Sequence, residues 1–226
     1  MENQTAVLGA ENVISRYFAS VYKWMTLAMA ITAFVAWQVA STEAIFTYIF
    51  SHKALLIILV IAQFAAVIAL AGWARRMSFG VALALFFGYA ALTGVTFSAI
   101  FVAYSAAVIS KAFVATAGMY GAMAIYGYVT KRDLSVWASF LFMSLIGIIL
   151  ASLLNIWLHS NYLDFMVTYG GIIIFAGLTA YDHQKLKAFA LIDADGKSNL
   201  AVTGALTLYL DFINLFLMLL RAFDRR

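Results

Sequence analysis

Apolar residues run along this chain in long blocks, and polar residues gather in short stretches between them. Seven blocks stand out, at residues 24–40, 54–73, 79–102, 112–129, 136–157, 165–181 and 202–220. A helix that crosses the hydrocarbon core of a bilayer needs about 20 consecutive apolar residues. Each block is therefore read as a membrane-spanning helix, because the backbone of a crossing segment must satisfy its own hydrogen bonds. The first and sixth blocks are near the short end of the range, and the third is long enough to tilt. Six spans plus a re-entrant segment is the competing count. The polar stretches are too short to hold a soluble domain. The expected organisation is a cytoplasmic N-terminal segment at 1–23, a single seven-helix transmembrane domain at 24–221 and a short tail at 222–226. The fold class is all-α, a polytopic membrane protein.

Composition agrees with that pattern and removes several function classes. Hydrophobic residues make up 65% of the chain and charged residues 11%, with a mean hydropathy of +0.97. Soluble domains carry about a quarter charged residues. Cysteine is absent, which excludes disulfides, thiolate nucleophiles and Cys-ligated metal. Proline is absent as well, so any helix break falls to glycine or to a polar insertion. The first twenty residues carry no basic segment followed by an apolar core and a small-residue cleavage site, so no removable signal peptide is expected.

The net charge of +4 is assigned to topology rather than to nucleic acid, because the basic residues are scattered between the apolar blocks. With the N-terminus in the cytoplasm, that side holds nine Lys and Arg and the opposite side five. The bias predicts an inside N-terminus. The basic ending RAFDRR dissents, since seven spans place it outside; a half-inserted last helix would bring it back. Two loops share a form: ARRMSFG (74–80) and TKRDLSVW (130–137) each place a basic pair before a Ser that is expected to cap the next helix.

An ionisable side chain at bilayer depth costs about 2.5–3.5 kcal/mol on insertion scales, so each one needs a reason. Most charges here fall at span ends, where topology or snorkelling accounts for them. Asp211 falls inside the last block. Gly204, Thr207, Asp211 and Asn214 are spaced 3, 4 and 3, which makes one polar stripe on an otherwise greasy helix. Such a stripe faces a cavity or a partner helix; the plain alternative is a buried Asp that ties the bundle together.

Asp182 is the second candidate, in GLTAYDHQKLK (177–187), with Thr179 one turn earlier and His183 next to it. One His with two separated Asp is not the spacing of a zinc site. Arg75 and Arg76 end the second block. They read either as a positive anchor or as a counter-charge folding inward to hold a buried Asp ionised.

TAYDHQKLK followed by GALTLYLDFINLFLMLLR resembles the paired C-terminal motifs of the Bax inhibitor-1 (transmembrane Bax inhibitor motif) family, closest to its bacterial inner-membrane branch. VYKWMTL, AALTGVTFSAIF, TAGMYGAM and TKRDLS extend the resemblance over nearly the whole chain. It implies a seven-helix bundle with the last helix central. It implies a pH-sensitive calcium leak in which two aspartates, Asp182 and Asp211 here, share a proton, with Arg75 as a latch. Calcium would be a permeant ion held weakly by Asp182 and Asp211, with no cofactor, and Thr207, Asn214, His183 and Thr179 are possible supporting polar groups. The family commonly has an uncharged residue where this chain has His183. The expected partners are the lipid bilayer, calcium and protons, with further membrane proteins open.

One conflict follows from the expected boundaries. Asp211 lies about 13 Å inside its block at 1.5 Å per residue, while Asp182 lies at the surface. Two rival functions fail on their motifs. An intramembrane aspartyl protease lacks its Gly-x-Gly-Asp run, and its proline motif is impossible here. A retinal protein lacks its lysine in the last block, at 202–220. A proton-coupled transporter and a non-transporting regulator of membrane protein quality control or survival remain as alternatives. The chain is not expected to be an enzyme.

Overall fold

The computed structural model describes residues 2–191 and 199–224, and of residues 2–10 and 75 the backbone alone. Eight α-helices and one 3-10 turn account for nearly all of it, with no strand among the described residues. The helices are α1 (Glu2–Ser41), α2 (Glu43–Ser51), α3 (Lys53–Trp73), α4 (Phe79–Ala103), α5 (Ala106–Val129), α6 (Ser135–Leu158), α7 (Asn161–Ala190) and α8 (Asn199–Asp224). All but α2 are long and apolar enough to cross a membrane. The chain is thus a polytopic helical membrane protein, and the seven predicted blocks are its seven long helices. At 26 residues α8 is about 39 Å long, enough for a full crossing.

Two boundaries differ from expectation for the same reason. The segment before Trp24 continues α1 backwards, and α7 runs nine residues past the expected end at Tyr181 to Ala190. Lys185, Lys187 and their polar neighbours end the apolar block, but they do not end the helix. Hydropathy reports which solvent a residue prefers, whereas the helix ends only where its i→i−4 bonding stops.

The helix starts also divide. Ser78 caps α4 as expected, its hydroxyl accepting from the Val81 amide at 3.4 Å. At α6 Ser135 is the first helical residue and the N-cap position is Leu134, with no side-chain capping bond; the Asp133 carboxylate accepts from the Ser135 amide at 2.9 Å. The Ser135 hydroxyl and amide hold the Asp133 carboxyl below the usual carboxylate range. That contribution is therefore present at neutral pH and lost as pH falls through the lowered value. At its other end α6 stops on His159 in the left-handed region, φ 47° and ψ 36°, with the Asn155 side chain accepting from the Ser160 amide at 2.8 Å.

The helices sort into two compact units, and α8 contributes to both. The first holds α1 to α4 and the N-terminal part of α8, up to Tyr209. Without a hydrophobic drive between helices in lipid, close contact depends on small residues and buried polar bonds. Gly94 on α4 supplies the first: a Cβ there would sit 2.7 Å from the Thr32 carbonyl oxygen on α1. Thr32 supplies the second. Its hydroxyl lies 2.8 Å from the Ala90 carbonyl and 2.7 Å from the Tyr209 hydroxyl, while Phe86 and Tyr89 meet the Tyr209 ring edge-on. Asn199, at the start of α8, donates to the carbonyls of Ala74 and Met77 at 2.6 Å each. Lys23 stands over the Trp24 ring at 4.5 Å.

The second unit holds α5, α6, α7 to Lys187, and α8 from Leu210 onward. Gly127 on α5 presses against the Ala180 backbone of α7 so closely that no side chain fits between them. Gln184 of α7 staples the α5–α6 loop by accepting from the Leu134 amide and donating to the Arg132 carbonyl, both at 2.8 Å. Burial separates the helices sharply. In its apolar window α8 is 72% buried and α6 only 6%, so α8 is surrounded by protein and α6 mostly faces lipid.

A buried carboxyl pair on α7 and α8

Asp182 and Asp211 both belong to the second unit, and both are buried. Asp182 is eight residues before the end of α7, about 12 Å along the axis, and Asp211 is twelve residues into α8, about 18 Å. α7 continues past Asp182, so that residue does not lie at a helix end, and the two carboxyls meet despite the different depths that the apolar blocks suggest. The two carboxyls are near enough to act on each other. A carboxylate can only accept, so a bond between two carboxyl groups contains one proton.

The surroundings are largely aromatic, with the Lys185 cation near enough to act on Asp182. Tyr120 of α5 packs edge-on to His183 at 5.5 Å and to Phe212 at 5.3 Å, and Phe113 adds a further ring against Phe212. The second oxygen of Asp211, Oδ2, is buried with no hydrogen-bond partner. Such an atom carries an unmet demand of about 1–3 kcal/mol.

The polar residues expected to support the pair spend their bonds elsewhere. Thr179 donates to the Phe175 carbonyl at 2.7 Å, and Thr207 to the Thr203 carbonyl at 3.1 Å. Asn214 donates to the Leu210 carbonyl at 2.8 Å, and His183 places Nδ1 2.6 Å from the Thr179 carbonyl. Each bonds one turn back on its own helix, where the intrahelical carbonyl is always within reach. The stripe is thus polar without being a set of ligands to Asp211. The Arg75 side chain lies outside the described residues.

Sequence reasoning missed two groups that shape this region. Gly127 fixes how closely α5 approaches α7 just before Asp182, and Tyr120 walls the pair from the α5 side. The small residue was visible in TAGMYGAMAIYGYV, but its partner Ala180 was not.

No three His, Asp or Glu side chains converge as a metal cage among the described residues. Calcium takes six to eight oxygen ligands in a stable site. The carboxyls of Asp182 and Asp211 offer at most four oxygens, so they suit an ion in passage better than one in residence.

Comparison with known proteins agrees over the whole length. The protein-family model described as "Inhibitor of apoptosis-promoting Bax1" matches residues 14–226. The Escherichia coli (strain K12) inner membrane protein YbhL is 55% identical over 217 residues, covering 94% of this chain and 93% of that protein. A Deinococcus radiodurans protein is 42% identical over 215 residues, covering 94% and 92%. A Streptococcus pyogenes membrane protein is 35% identical over 221 residues, covering 94% and 93%. With its paired C-terminal motifs, its seven long helices and a family match that spans all but the first residues, the chain belongs to the Bax inhibitor-1 family.

Proposed function

We propose that this protein is a pH-sensitive, calcium-permeable leak of the bacterial inner membrane, with its N-terminus in the cytoplasm. The observation that carries the reading is the closeness of the buried Asp182 and Asp211 carboxyls, which lets them bond through one shared proton. That bond exists only while the pair holds a proton. When the proton leaves, two negative charges remain at close range in an apolar site, and their repulsion pushes α7 and α8 apart at this level. The same event leaves two carboxylates that attract a divalent cation, with the unpartnered Oδ2 of Asp211 as the oxygen least engaged. An ion held by so few ligands departs as readily as it arrives, as conduction requires. The pair acts here as a switch and a stepping stone rather than as a catalytic dyad. The inner-membrane location rests on the similarity to the Escherichia coli protein named for it. The inside N-terminus rests on the Lys and Arg bias.

The test is calcium flux into liposomes that contain the purified protein and a calcium dye. Flux is expected to vary with pH, and Asp211→Asn and Asp182→Asn are expected to abolish that variation, since a neutral amide has no proton to release. An Asp211→Asn protein with the unaltered pH profile would overturn the switch. Proton movement driven stoichiometrically by an imposed calcium gradient would point to a coupled transporter instead, and absence of any flux to a regulator. Arg75 enters the proposal by its motif position. Arg75→Ala is expected to change the pH profile and Arg76→Ala to leave it unchanged; equal effects would reduce both to topology anchors.

A further inference from the structure

A cavity of about 420 Å3 opens between α6, α7 and α8 inside the second unit. Its volume falls in the range of about 300–1,000 Å3 that small-molecule sites occupy, and its walls are mostly apolar with few polar groups, as in such sites. The charged groups lie at one end, while Ser152 and Asn214 are the polar residues further in. Asn155 near the end of α6, Asp164 in the first turn of α7 and Arg221 in the last turn of α8 all line it. Chain direction brings these three helix ends to one face of the membrane. Trp157 and Tyr162, 78% and 74% exposed, flank the α6–α7 turn, and aromatic residues of this kind mark the headgroup level of a bilayer.

The deep part is different. Ile148, Ile149 and Leu153 of α6 form its wall, and Phe175 closes it eleven residues beyond Asp164 on α7, about 16 Å further into the membrane. Ile149 and Leu153 are each 49% exposed, so the space opens past apolar side chains on the helix that mostly faces lipid.

We infer that this cavity is a binding site for one membrane phospholipid with a zwitterionic, primary-ammonium headgroup. Its acyl chain lies along α6 towards Phe175, its phosphate sits on Arg221, and its ammonium sits on Asp164. A guanidinium matches a phosphate with paired donors, and a carboxylate accepts from an ammonium, so one charge of each sign at the mouth fits a headgroup carrying both. Water filling this space would meet walls that are largely hydrocarbon, whereas an acyl chain loses nothing there. The inference is independent of the leak reading and stands or falls on its own measurement.

The purified full-length protein is placed in vesicles of phosphatidylethanolamine and phosphatidylglycerol, one of them carrying a photoactivatable acyl chain. Adducts are then mapped by peptide mass spectrometry. With the phosphatidylethanolamine probe, adducts are expected to concentrate on residues 145–156 and 214–221. Arg221→Gln is expected to lower them about tenfold relative to adducts on the outward residue Phe142, the loss of one charge-assisted contact. Ser152→Trp, which fills the cavity from its wall, is expected to do the same, and the phosphatidylglycerol probe to label the site less. Adducts spread evenly over α6 and unchanged in both variants would overturn the site, and equal labelling by both probes would overturn the headgroup. The absence of native cysteine gives one further arm. Rapid modification of Ser152→Cys by a charged, membrane-impermeant thiol reagent would mean that water, not lipid, fills the space; slow modification supports the lipid.

Discussion

Asp211 is one half of the proposed switch, and its environment explains why a carboxyl is tolerated there. It sits on the most buried helix, near Asp182 and next to Phe212, which packs against Tyr120 and Phe113. The tolerance comes from the partner rather than from neighbouring hydroxyls, since Thr207 and Asn214 bond to their own helix. A pair of this kind predicts strong coupling between its members. Asp211→Leu leaves Asp182 buried without its partner and is expected to lower stability in detergent by about 1–3 kcal/mol. Removing both, as Asp182→Leu with Asp211→Leu, is expected to cost less than the sum of the single changes, because no orphaned carboxyl remains. Thermal unfolding of the four proteins in the cycle measures the coupling; strict additivity would show that the two carboxyls do not depend on each other.

Among elements, α7 carries the most information that hydropathy alone did not yield. The apolar block ends near Tyr181, yet the helix continues to Ala190 because its backbone bonds continue. That extension keeps Asp182 away from the helix end, eight residues before Ala190. Its position against α5 is set by Gly127, where a Cβ would collide with the Ala180 backbone. Backbone cannot step aside as a flexible side chain can, so Gly127→Ala is expected to destabilise the protein by about 1–3 kcal/mol. Gly147 and Gly118 lie in helices where a Cβ would meet nothing within 4 Å. There the same substitution is expected to be neutral or to stabilise by up to about 1 kcal/mol, through helix propensity alone. Melting temperatures of the three variants decide the matter, and a harmless Gly127→Ala would remove the close approach from the account. Because Ala180 is two residues from Asp182, Gly127→Ala is also the variant outside the pair most apt to disturb it.

At the scale of the whole molecule, seven long helices put successive loops on alternating sides of the membrane. The α5–α6 loop at 130–134 and the α6–α7 turn at 159–160 must then face opposite compartments. Since the chain has no native cysteine, single substitutions at Thr130 and at Ser160 provide clean reporters. Lys131→Cys is avoided because that residue contributes to the orientation bias. The Ser160→Cys protein is expected to react with an impermeant thiol reagent in intact cells, and the Thr130→Cys protein only after the membrane is opened. The reverse pattern would invert the orientation derived from the Lys and Arg bias. Reaction of both in intact cells would break the seven-span count itself.

What the amino-acid sequence determined by itself was the solvent, the number of crossings, the polar stripe that holds Asp211 and, through its two C-terminal motifs, the family. These were legible because the bilayer acts on each residue separately: any crossing segment must be apolar for about 20 residues, and any charge within it is conspicuous. Tertiary structure alone set the Asp182 and Asp211 carboxyls near each other, bonded the Ser135 amide to Asp133, and turned Thr207 and Asn214 back to their own helix. It alone placed a cavity with a charged mouth between α6, α7 and α8. Those features depend on how one helix is set along and around another. In lipid that setting comes from small-residue contacts and single hydrogen bonds between distant parts of the chain, and hydropathy carries no record of either.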